Sequence, residues 1–148
     1  MKIPQQSRRS GDHTQSPSWL PVAHGRFPGK QAEVAEAREL VRDALRGNPL
    51  NDAAVLVADE LAANAVRHSA SGQPGRTFRV NCYTNQRAIR VEVHDDGGSS
   101  EPQRREIAWD AETGRGLMLV DELAAHWGVT GDQHGRTVWV EINDEDSA

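Results

Sequence analysis

Glu60 and Asn64 stand one helical turn apart in a stretch, Asp59 to His68, that reads DELAANAVRH. Side chains at i and i+4 lie on one face of a helix, one above the other. A carboxylate and an amide placed this way have two uses. The carboxylate can accept a proton from an attacking hydroxyl or water. The amide oxygen suits Mg²⁺, which keeps several waters and shares phosphate oxygens instead of demanding a protein cage. Val57, Leu61 and Ala65 form the neighbouring apolar stripe, so the pair is expected at the rim of the buried face. The same two residues also suit a solvated helix surface, and the rest of the chain must discriminate.

Two further segments bear on that choice. Asp95-Asp96-Gly97-Gly98 closes an alternating apolar run. A carboxylate there can accept from an exocyclic amine such as that of adenine, while glycine lets backbone approach a ligand; Asp-Gly is also ordinary turn composition. Gly114-Arg115-Gly116-Leu117 opens an apolar helical pattern, Leu117, Leu119-Val120 and Leu123-Ala124. Glycines at a helix N-terminus can cradle phosphate with free N–H groups, although the same pair suits a flexible hinge. The Rossmann fingerprint fits poorly, since Leu119 stands where its third glycine belongs, and Walker A and nucleophile-elbow patterns are absent. The six histidines form no metal-ligand spacing. The four tryptophans read as core or lid packing.

Periodicity supplies the elements that must hold these residues. Trp19 to Phe27, ended by Pro28-Gly29, reads as a short edge strand. Val34, Ala37, Leu40, Val41, Ala44 and Leu45 follow helical spacing, and Gly47-Asn48-Pro49 stops that helix. Asn51 or Asp52 can cap the next helix, which runs to about His68. Phe78, Val80 and Cys82, then Ile89, Val91 and Val93, alternate as a hairpin about Thr84-Asn85-Gln86. Residues 98–113 are a long polar loop, and a last hairpin pairs Trp127–Thr130 with Thr137–Ile142. The fold class expected is α+β: a two-layer α/β sandwich with a mixed, mainly antiparallel sheet and helices on one face.

At 148 residues the chain suits one domain, with residues 1–18 a disordered tail, 19–143 the folded part and 144–148 an acidic tail. The net charge of -5 disfavours nucleic acid as a partner, despite a mildly basic N-terminal arm. Cys82 is alone, which rules out an internal disulfide. No run reaches the roughly 18 apolar residues of a membrane span, and no secretory signal opens the chain, so a cytoplasmic location is expected.

Taken in order, ELAANAVRH, VEVHDDGG, TGRGLMLVDELAAHWGV and GRTVWVEI resemble the four boxes of the GHKL ATP-binding superfamily. This is the Bergerat fold of gyrase, heat-shock chaperones, histidine kinases and mismatch-repair ATPases. The compact arrangement is most similar to the RsbW-like anti-sigma-factor serine/threonine kinases, over roughly residues 20–142. The resemblance implies ATP and Mg²⁺ as cofactors, Asn64 as metal ligand and Glu60 as general base. It implies that Asp95 binds the adenine amine in a pocket shaped by Gly97. Gly114, Arg115, Gly116 and Leu117 would close on the phosphates, with residues 98–113 as the lid. Thr137 would help hold adenine through Asp95 or a water. The partners implied are a sigma factor, sequestered by the kinase, and an anti-sigma-factor antagonist phosphorylated on serine; the usual form is a homodimer. Ser99 departs from the family, standing where the last glycine of D-x-G-x-G is usual. A non-catalytic ATP-binding regulator of a protein partner is the alternative.

Overall fold

The structure, a computed structural model, describes residues 18–97 and 121–144. Strand β1 (Leu20–Pro28) leads to helices α1 (Gln31–Ala44) and α2 (Asn51–His68). A 3₁₀ turn (Ala70–Gly72) follows, then the hairpin β2 (Thr77–Thr84) and β3 (Ala88–Asp95), and finally β4 (His126–Asp132) and β5 (Gly135–Asn143). The expected last helix falls mostly outside the described residues; its described part, Asp121–Leu123, is helical.

The five strands make one sheet in the order β1-β2-β3-β5-β4. Every pairing is antiparallel, so the mixed sheet expected from sequence is antiparallel throughout the described residues. Because β5 returns beside β3, the central strand runs out at Asp95 with Arg136 directly opposite. Alternation divides the sheet cleanly. On β3, Ile89, Val91, Val93 and Asp95 are buried beneath the helices, while Arg90, Glu92 and His94 face away. β5 repeats the division with Arg136, Val138, Val140 and Ile142 inward and Thr137, Trp139 and Glu141 outward, although Trp139 is itself buried.

α1 turns Val34, Ala37 and Val41 inward at the expected spacing, and Leu45, its C-cap, is buried with them. α2 is the more deeply embedded helix: Ala54, Val55, Val57, Ala58 and the whole run Leu61–Ala65 are buried. Its many alanines let α1 and the sheet both approach closely, which a row of leucines would prevent. The expected cap is corrected. Neither Asn51 nor Asp52 caps α2; Asn51 is already its first residue and donates through Nδ2 to the Arg42 carbonyl at 3.2 Å. Asn48 shapes the entry, its Oδ1 accepting from the Leu50 N–H at 2.8 Å. Asn51 thus ties the start of α2 back to α1, and Asn48, two residues before the N-cap Leu50, holds the turn between them.

Candidate functional site

Asp95 is a carboxylate sealed into the end of the central strand. Its Oδ1 accepts from the Gly97 N–H at 2.7 Å, and its Oδ2 accepts from Arg136 Nε at 3.3 Å. Both side chains of the ion pair are only 3% exposed. Burial raises the Asp95 carboxyl above its ordinary value, against the opposing pull of Arg136 and of the Gly97 amide. Desolvation wins because almost no water remains to share the charge.

Arg136 also donates through Nη2 to the carbonyl of His68 at 3.4 Å, reaching the last residue of α2. Asn64 lies one turn earlier on that helix. The loop after α2 is fastened to the same strand end: the Ala70 N–H donates to the Gly97 carbonyl at 2.6 Å. The Asp96 N–H in turn donates to Ser71 Oγ at 2.9 Å. Ser71 is fully buried, and Ser69 holds the turn by donating to the Ala65 carbonyl at 2.7 Å and accepting from the Ser71 N–H. The chain thus links Asn64's helix to the Asp95 strand end by one arginine, one backbone bond and one serine hydroxyl.

On α2 the two chemical candidates differ in depth. Glu60 is half-buried at the rim, and its carboxyl is raised by desolvation and by neighbouring Asp59, with Arg67 opposing. Asp59 is engaged by Arg38 at 2.9 Å. Asn64 is not at the rim but inside, 5% exposed. Among the described residues no three His, Cys, Asp or Glu side chains converge. The available donor set is therefore a buried amide with a carboxylate one turn away, which fits a hard cation held largely by water and phosphate oxygens.

Gly97 takes a positive φ of 73°. A Cβ on it would lie 2.3 Å from the Gln133 carbonyl oxygen, so its smallness is required by the β4–β5 turn pressed against it. Thr137 does not contact Asp95 directly. It sits on the opposite face of the sheet from Asp95, with its Oγ1 2.7 Å from His94 Nδ1. The register puts Arg136 beside Asp95 instead. Counting back in twos from Ile142, Val140 and Val138 reaches Arg136, a signal the sequence contained. Gly114, Arg115, Gly116, Leu117 and the loop 98–113 lie outside the described residues.

This arrangement is what one expects of a domain that grips a nucleotide between one helix and the end of a central strand. Residues 27–142 match the histidine kinase-like ATPase domain family. The match spans well over half the chain, and the protein belongs to that family, whose name makes it an ATP-binding module. No curated protein matches the chain. Among the described residues no helix is long and apolar enough to cross a membrane.

Proposed function

We propose that this protein is a Mg²⁺-ATP-dependent serine/threonine kinase of the anti-sigma-factor type. In this reading it sequesters a sigma factor and phosphorylates a serine of an anti-sigma-factor antagonist, working as a cytoplasmic homodimer. The observation that supports it best is the placement of Glu60 and Asn64 one turn apart on a helix whose end is tied through Arg136 to Asp95. Asn64 would hold the metal, which when bound neutralises charge on the phosphates. Asp95 would take the adenine amine: each ionised carboxylate oxygen has two lone pairs, and Arg136 and Gly97 use one apiece. Glu60, made more basic by burial, would accept the serine proton as phosphoryl transfer begins. Phosphoryl transfer asks mainly for positioning and charge stabilisation, and α2 supplies the first through its packed alanines.

Glu60→Gln is the test. Phosphotransfer to an antagonist serine should fall by about 10²–10⁴-fold while ATP affinity holds, because only the proton acceptor is lost. Parallel loss of binding and transfer would remove Glu60 from the role of base. The other reading is a non-catalytic ATP-responsive regulator, in which the same residues bind ATP and no serine proton is taken. It predicts ATP binding with no labelled serine on any antagonist and no effect of Glu60→Gln.

A further inference from the structure

The face of the sheet turned away from the helices has its own organisation. Register pairs Arg26 with Arg79, Arg79 with His94, His94 with Thr137 and Thr137 with Thr130. One cross-strand row thus reads Arg, Arg, His, Thr, Thr, with no acid in it. The next rows along the strands are electrically closed. Glu92 accepts from Arg90 Nε at 2.8 Å and lies 3.3 Å from His94 Nε2, and Arg90 also pairs with Glu141 while stacking on Trp139. Cation without a counter-ion is left at Arg26 and Arg79. Both are exposed, and neither forms an ion pair among the described residues.

Directly opposed residues on antiparallel strands have Cβ atoms about 4.5–5.5 Å apart, and like charges so placed destabilise the pairing. In a chain of net charge -5, two arginines set face to face call for an anion between them. The structure provides room. A recess of about 230 Å³ opens there, lined by Arg26, Thr77, Arg79, His94, Asp95 and Asp96. The two acids do not cancel the arginines. Asp95 turns its carboxylate to the helix side against Arg136, and Asp96 is held by Arg76 at 3.0 Å.

We propose that this recess is a binding site for a phosphate-type dianion, held by the Arg26 and Arg79 guanidinium forks with the Thr77 hydroxyl beside them. Guanidinium forks match phosphate oxygens bidentately, and a phosphate monoester carries about -1.5 to -2 at neutral pH, enough to neutralise both arginines where a carboxylate neutralises one. The arginines lie across the sheet from Glu60 and Asn64, and of the residues given a nucleotide role among the described ones the recess shares Asp95 alone.

The full chain is titrated at low ionic strength with inorganic phosphate, phosphoserine and glutamate, and backbone amide shifts are followed by NMR. Phosphate and phosphoserine should move the amides of Arg26, Thr77 and Arg79, and Arg26→Gln/Arg79→Gln should weaken that binding at least tenfold without altering ATP affinity. Phosphoserine binding tenfold tighter than inorganic phosphate assigns the site to a phosphorylated protein, and equal binding assigns it to the free anion; both support a phosphate site. Glutamate binding as tightly as phosphate would overturn it, as would undiminished binding in the double variant or shifts confined to Asn64 and Gly97. Because both side chains are exposed, the single variants fold as the parent does and should each show an intermediate loss.

Discussion

Glu92 and Asp95 lie three residues apart on β3, face opposite sides of the sheet, and are each bonded to an arginine, yet their acidities move in opposite directions. Glu92 is lowered to about 2, chiefly through its hydrogen bond to His94 and then through Arg90, with burial opposing. Asp95 is raised, because burial outweighs everything Arg136 and Gly97 return. The Glu92 side chain keeps 15% of its exposure and Asp95 keeps 3%. Pairing therefore governs a carboxylate that still meets water, and desolvation governs one that does not. On the open face the ion pairs are surface chemistry; under the helices a single pair joins two elements.

That difference is broken most directly at the arginines. Arg136→Met leaves a carboxylate buried with one backbone donor, and the unfolding free energy should fall by about 3–5 kcal/mol, read from the denaturant midpoint. Adding Asp95→Asn should recover most of the loss, since the stranded charge is then gone. A loss under about 1 kcal/mol for the single variant would mean that water reaches Asp95 and that the two faces do not differ. Gly97→Ala sharpens the same side. A positive φ costs a non-glycine residue about 1–2 kcal/mol, and the Gln133 carbonyl must also shift, so a loss of about 2 kcal/mol or more is expected by thermal unfolding. Arg90→Met, on the open face, should cost only about 1 kcal/mol, from its stacking on Trp139 and its part-exposed pairs with Glu92 and Glu141. Most of that cost should vanish in high salt, whereas the Arg136→Met loss should persist.

The two faces were not equally legible in the sequence. Helical spacing in Val34–Leu45 and strict alternation in Phe78–Cys82 and Ile89–Val93 announced both helices and the first hairpin, because burial on one side imposes those periods. Glu60 and Asn64 were legible as a pair on α2 for the same reason, although the depth of Asn64 was not. That depth depends on α1 and the sheet closing from two sides over a helix rich in alanine. Arg136 was hidden by its type. An arginine in a Gly-Arg-Thr turn reads as a solvated cation, and only the pairing of β5 with β3, 41 residues away, makes it the counter-ion of a buried acid. Thr137 came with the family resemblance, and alternation along β5 sends it to the far face beside His94.

The comparison can also be tested through pH dependence, whose sign differs between the two carboxylates. The folded-state acidity constant of Glu92 lies below its ordinary value of 4.5, so its stabilisation is fully present above that value and is lost as pH falls toward about 2. Asp95 is shifted the other way. Its contribution is fully present below its ordinary value of 3.8 and is lost as pH rises through the elevated folded value. Unfolding free energies of the wild type, Glu92→Gln and Asp95→Asn measured between about pH 3 and 7 should therefore diverge in slope. Wild-type stability relative to Glu92→Gln should rise with pH, and wild-type stability relative to Asp95→Asn should fall over the same interval. Asn mimics the protonated carboxyl at every pH, so the difference between the two slopes reads the titration of Asp95. Parallel slopes would show that desolvation does not rule Asp95, and the distinction between the two faces of the sheet would collapse to one of hydrogen-bond count.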